Sequence, residues 1–152
     1  MRSLAHTVLL TALLAFGAHF ATPAFADAAL DGLAKVIVDA TKEGDIEAIT
    51  KRFGPELAAG YKAAEENKDK LIIDFDWSTN SQDPQYDAIA KSIQSTSATK
   101  SADEGTVTVT FKQAKKDQTI DYKVKKAGAD WVITDVVYPK DDFSLSDMVQ
   151  GK

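Results

Sequence analysis

The stretch Gly105-Thr-Val-Thr-Val-Thr-Phe-Lys-Gln-Ala-Lys-Lys-Asp-Gln-Thr-Ile-Asp-Tyr-Lys-Val-Lys-Lys-Ala-Gly-Ala-Asp-Trp-Val-Ile-Thr-Asp-Val-Val-Tyr138 decides the fold. It divides into three strands, Thr106–Lys112, Thr119–Lys125 and Asp130–Tyr138. In the first two, polar and apolar residues alternate, as on a half-buried strand. Val107, Val109 and Phe111 therefore share one face, as do Ile120, Tyr122 and Val124, while Thr and Lys occupy the other. Lys115–Gln118 and Lys126–Ala129 are short polar or glycine-bearing connections, suited to antiparallel neighbours. A meander with one greasy face follows, and another part of the chain must cover that face.

Upstream lies the cover. From Ala28 to Lys42, the residues Leu30, Leu33, Val36, Ile37 and Ala40 form a helical stripe. Gly44 ends that helix, and Asp45 caps a second bearing Ile46, Ile49 and Phe53. After Gly54, Pro55 suits the first position of a third helix, which carries Leu57, Ala58, Tyr61 and Ala64. Leu71–Trp77 reads as a short strand or extended segment. Asp83 and Pro84 are expected as the cap and first residue of a further helix, with Tyr86, Ile89, Ala90 and Ile93 on its apolar side. The Ser/Thr-rich run Gln94–Lys100 reads as a polar first strand of the sheet, and Ser144 as the cap of a short C-terminal helix with Leu145, Met148 and Val149. The expected class is α+β: N-terminal helices on a curved, mostly antiparallel sheet of about four strands, cone-like in shape.

The chain of 152 residues has room for one domain. Arg2, the apolar run Thr7–Ala18, and Ala24-Phe25-Ala26 have the order of a secretory leader. Residues 1–26 are thus expected to be a signal peptide cleaved after Ala26, leaving 27–152 as a single exported domain, periplasmic or secreted. The apolar run falls short of the roughly 20 residues that a membrane-spanning helix needs.

Cleavage would change the chemistry more than the length. Both histidines, His6 and His19, lie in the leader, and the chain has no Cys. The mature domain therefore lacks imidazole bases, thiolate nucleophiles and nitrogen or sulfur ligands for zinc. All 23 acidic residues lie beyond Ala26, whereas Arg2, one of the 18 basic ones, does not. The mature chain is then one unit more negative than the full chain's −5, against nucleic acid or anionic membranes as partners. No cofactor is expected.

Functional side chains are densest from Asp74 to Asp87. Asp74, Asp76, Asp83 and Asp87, with Trp77, Tyr86 and Asn80, have the chemistry to bind a cation, a sugar or a basic partner. A calcium loop begins well with Asp74, Asp76, Ser78 and Asn80. It then fails, since Thr79 stands where the sharp turn needs Gly and Gln85 where a bidentate Glu is required. No metal site is expected. The plain alternative is a capped loop whose Trp77 and Tyr86 pack at the sheet edge while the other acids face water.

On the last strand, unbroken alternation would put Asp135 on the inward face beside Trp131 and Ile133, with Tyr122 nearby. Burial there would raise the Asp135 pKa, as in general bases of some isomerases. Val136-Val137 breaks the alternation, however, and a bulge near Thr134-Asp135 would turn the carboxylate outward. Tyr61, Tyr122 and Tyr138 read as amphipathic core residues with their hydroxyls at the rim.

Phe53-Gly-Pro-Glu-Leu-Ala-Ala59, the Asp74–Asp87 loop with Asn80-Ser-Gln-Asp-Pro84, and Trp131-Val-Ile-Thr-Asp135 followed by Tyr138-Pro139 and Ser144-Leu145 carry a resemblance. The chain resembles the nuclear-transport-factor-2-like and cystatin-like folds. More narrowly, it is similar to small exported bacterial domains whose relatives include immunity proteins that block secreted cell-wall amidases. The resemblance implies a binding domain that needs no catalytic residues of its own. The chemistry of the loop itself points to a protein partner engaged through Asp74, Asp76, Trp77, Asp83, Tyr86 and Asp87, with the two aromatics as anchors and the carboxylates steering a basic partner. The competing expectation is a small-ligand binder or cofactor-free isomerase or hydrolase working in the cone interior around Tyr122, Trp131 and Asp135.

Overall fold

A computed structural model describes residues 27–67 and 73–151 of the chain. The expected leader, residues 1–26, lies outside the described residues, as do Leu71 and Ile72 at the start of the expected Leu71–Trp77 strand. The element order is α1 (Ala28–Glu43), α2 (Ile46–Thr50), α3 (Pro55–Glu66), α4 (Tyr86–Ser92), β1 (Gln94–Thr99), β2 (Glu104–Gln113), β3 (Lys116–Ala127), β4 (Asp130–Tyr138), β5 (Phe143–Ser144) and α5 (Leu145–Gln150). The fold is α+β, with helices first and then an open antiparallel sheet in the order β1-β2-β3-β4-β5. The fifth strand, two residues long, adds to the four expected.

The meander is longer and tighter than its alternation suggested. β2 and β3 pair from Glu104↔Lys125 to Gln113↔Lys116, so only Ala114 and Lys115 are left between them. The expected Lys115–Gln118 connection is mostly strand. Likewise β3 runs to Ala127, and Gly128 and Ala129 alone make the next turn. Val107, Val109, Ile120, Tyr122 and Ile133 are completely buried on one face, and Trp131 is 2% exposed.

A bulge interrupts β4. Lys123 pairs with Asp135 but Val124 with Ile133, which leaves Thr134 as the extra residue. The insertion reverses which residues face inward. Before it Trp131 and Ile133 are buried; after it Val136 and Tyr138 are. Thr134 Oγ1 donates to the Lys123 carbonyl at 3.1 Å and so helps hold the bulge closed. The break in alternation at Val136-Val137 is therefore the bulge, and Asp135 belongs to the outer face.

The helices cover the greasy face. Leu30, Leu33, Ala34, Ile37 and Ala40 of α1 are buried, together with Ile49, Leu57, Ile89 and Leu145 from the other helices. Ala58, expected on the inner stripe of α3, is exposed. Asp27 caps α1 by accepting from Ala29 N and Leu30 N, Asp45 caps α2 by accepting from Ala48 N, and Ser144 caps α5 by accepting from Asp147 N. Gly44 closes α1 at φ 70°, and a Cβ there would meet the Tyr86 ring at 2.6 Å. A side chain at that position would thus conflict both with the backbone and with the seat of Tyr86.

Asp83 and Pro84 do not start α4. The helix begins at Tyr86 after Gln85, without a side-chain cap. The Asp83 carbonyl instead accepts from Gln113 Nε2 at 3.4 Å, which ties the preceding loop to the end of β2.

Candidate functional site

The segment from Ile73 to Gln85 has no helix and no ladder, yet its backbone is closely determined. Asp76 and Ser81 form an antiparallel bridge, with Asp76 N–H donating to Ser81 O at 2.8 Å and Ser81 N–H to Asp76 O at 3.1 Å. Between them the chain reverses, helped by Asn80 in the left-handed region at φ 53°. Asn tolerates that region better than most side chains, so its place here follows from the turn. What reads in sequence as a short strand to Trp77 is an arm of this reversal.

Asp76 holds the loop from inside. Its Oδ1 accepts from Ser78 N at 2.8 Å and from Ser78 Oγ at 2.7 Å, and its Oδ2 accepts from the Tyr86 hydroxyl at 2.7 Å. Burial, and then the bond to the Asp76 carboxylate, push the Tyr86 pKa up to about 12. Trp77 is 1% exposed, packed against Phe53 and Tyr61 at centroid distances of 5.5 and 6.1 Å. Its indole N–H donates to Tyr61 Oη at 3.3 Å, and its carbonyl accepts from Tyr138 Oη at 2.8 Å.

These contacts correct the expected recognition surface. Trp77 is an internal side chain and has no area to offer a partner. Tyr86 and Asp76 spend their polar atoms on one another and on Ser78. Asp74, Gln82, Asp83, Gln85 and Asp87 remain exposed. The loop is a capped one, with aromatics inside and carboxylates outside.

Asn80 Nδ2 donates to Asp141 Oδ2 at 2.7 Å, joining the loop to the turn between β4 and β5. Beside this bond an open crevice of about 660 Å³ runs between that turn and the start of β3, with Lys116, Asp117, Lys140 and Phe143 among its walls. Lys140 Nζ donates to the Asp117 carbonyl and braces the two turns together. Sequence reading passed over these residues, because they meet only when the ends of distant strands are brought side by side. The one local signal was the polar turn after Pro139.

The second expected site is not assembled. Asp135 Oδ1 accepts from Val136 N at 2.8 Å and Ser146 N at 3.0 Å, so the carboxylate pins the start of α5 to β4 instead of lining the core. Trp131 and Tyr122 point to the opposite face, into the core. The hydroxyls of Tyr122 and Tyr138 are not at a rim either, since the residues are 0% and 1% exposed. Burial drives both phenols far above the ordinary value. Among the described residues no three acidic, His or Cys side chains are placed to hold a metal ion, and no helix is long and apolar enough to cross a membrane.

Comparisons with protein families, with curated proteins and with solved structures return no significant match.

Proposed function

We propose that this chain is an exported, non-catalytic binding domain that engages a protein partner carrying basic residues through the loop from Asp74 to Asp87. The supporting observation is the internal bonding of Asp76 to Ser78 and Tyr86, which orders the loop between Asp76 and α4 beforehand while Asp74, Asp83 and Asp87 stand in solvent, and so lowers the ordering cost at binding. Exposed carboxylates of one sign steer a basic partner and speed its association. The neighbouring crevice at Asn80 and Asp141 extends the polar surface. A plugging inhibitor, as in the immunity proteins of the resembled family, works in this way and needs no catalytic group. Export is supported by Asp27, which caps α1 at once after the expected cleavage point. A non-catalytic role accords with the engagement of Asp135 by two backbone N–H groups.

The test is affinity purification from periplasmic extract, with the wild type beside the triple variant Asp74→Asn/Asp83→Asn/Asp87→Asn. These side chains are exposed, so the variant keeps its fold. A partner held by the wild type and lost or slowed in association with the variant is expected. A variant that retains every partner with unchanged association rates would refute the loop as the contact surface.

A further inference from the structure

The two edges of the sheet are finished differently. Along β4 the outer edge is closed twice: Ile133 N–H donates to Arg52 O at 2.8 Å and Gly54 N–H to Ile133 O at 2.7 Å, while Val137 and Tyr138 pair with β5. At the other side β1 ends the sheet, and among the described residues no strand or bridge lies beyond it.

The free groups of β1 follow from the ladder. Lys112 N–H donates to Ser92 Oγ, on the β1 side of β2. The even-numbered residues of β2 thus direct their backbone groups toward β1. Register places Thr110, Thr108 and Thr106 opposite Gln94, Thr96 and Ala98. Ser95, Ser97 and Thr99 are left with N–H and C=O directed away from the sheet. Natural edge strands are commonly blunted by a charge, a Pro or a bulge. Gln94-Ser-Thr-Ser-Ala-Thr99 has neither charge nor Pro, and its register with β2 is unbroken.

Beside this edge α1 runs in the opposite direction to β1. Its Leu30 lies with Ala98 around Gly105, and its far end, Gly44, meets Tyr86 before β1 begins. A groove of about 560 Å³ between helix and strand is walled by Ser95 and Ser97 on one side, and by Asp31, Lys35, Asp39 and Lys42 on the other. Along the helix these charges run negative, positive, negative, positive. Set against an antiparallel copy of itself, the row places Asp31 opposite Lys42 and Lys35 opposite Asp39, so every pair is of opposite sign.

We propose that this face is a homodimer interface in which β1 pairs antiparallel with β1 of a second copy. The same two-fold axis sets the two α1 helices antiparallel across the seam and joins the sheets into one. Backbone bonds at Ser95, Ser97 and Thr99 supply the attachment, and the charged rows fix its register, as both do in other strand-addition interfaces. An isologous contact of this kind closes on itself and uses the β1 edge of both copies, so pairing through that edge stops at the dimer.

Light scattering and sedimentation equilibrium test this on the purified wild type, on Ser97→Pro, Lys35→Glu and Asp39→Lys, and on an equimolar mixture of the last two. The wild type should be a dimer. Ser97→Pro removes an N–H that points away from β2, so a monomer with unchanged circular dichroism is expected. If that variant fails to fold, the charge variants decide. Each of them alone sets like charges facing across the axis, which should weaken association by about tenfold. Mixing them restores opposite charges at both facing positions, and the mixed dimer should recover wild-type affinity. A wild type that is monomeric at every concentration, a dimer indifferent to all of the substitutions, or a mixture no tighter than its components would overturn the proposal.

Discussion

At the scale of single residues, Asp76 organises more structure than any other polar side chain in the loop. Three donors converge on its two oxygens. Asp76→Ala leaves them without that acceptor and should lower stability by about 2 kcal/mol or more in urea unfolding. Tyr86→Phe should cost about 1 kcal/mol, and the double variant less than the sum, because one bond is counted in both. The tyrosines carry a pH dependence with a definite sign. All 4 of them have raised pKa values, with burial the largest cause in each. A raised phenol favours the native state while neutral, so this stability is full below the ordinary value. For Tyr86 it is lost as pH rises from 10.0 through about 12. Near pH 10.0 the folded protein should therefore show far less tyrosinate absorbance than the same chain in denaturant. Equal absorbance in the two states would contradict the burial described for Tyr122 and Tyr138.

At the scale of elements, the two hairpins of the meander solve the same problem with different residues. Gly128 takes a φ of 68° in one turn, where glycine has no steric penalty. In the other, Ala114 at 48° and Lys115 at 65° both occupy the left-handed region without that freedom. Two successive positive φ values are what a type I′ turn requires, and Asn-Gly is the pair that fits it best. Ala114→Asn/Lys115→Gly should raise stability by about 1 kcal/mol and the melting temperature with it. No gain would mean that the turn relaxes to another shape at little cost. The helices were more legible than this turn. Gly44, Asp45, Pro55 and Ser144 stand at the ends that local chemistry assigns to them, and the structure adds Asp27 as the cap of α1. Asp83-Pro84 had the same local form, but the Asp83 carbonyl is held by Gln113, and the helix starts two residues after Pro84.

At the scale of the whole molecule, Trp131 joins the last long strand to the helical layer. It lies under Lys126, whose Nζ is 5.3 Å from the ring centroid and 3.3 Å from the Asp27 carboxylate at the head of α1. Trp131→Ala should cost about 3–5 kcal/mol in denaturant unfolding, a large share of the total stability of a domain this size. A loss under about 1 kcal/mol would show that the sheet and helices are not joined there.

The sequence by itself determined the fold class, the inward faces of β2 and β3, the helical stripes and most caps. Each of these is set by neighbours within a few positions, through side-chain period or a local hydrogen bond. Tertiary structure alone decided the rest. Trp77 and Asp74 look equally available in sequence, yet the first is enclosed by Phe53 and Tyr61 and the second is in water. Asp135 had two readings until the register placed the bulge at Thr134 and the backbone of Ser146 claimed its carboxylate. The crevice at Asn80 and Asp141, and the placing of the charged row of α1 beside Ser95 and Ser97, join residues distant in the chain. No local period encodes such neighbours, because they depend on which strand lies at which edge and on what the chain folds back to cover.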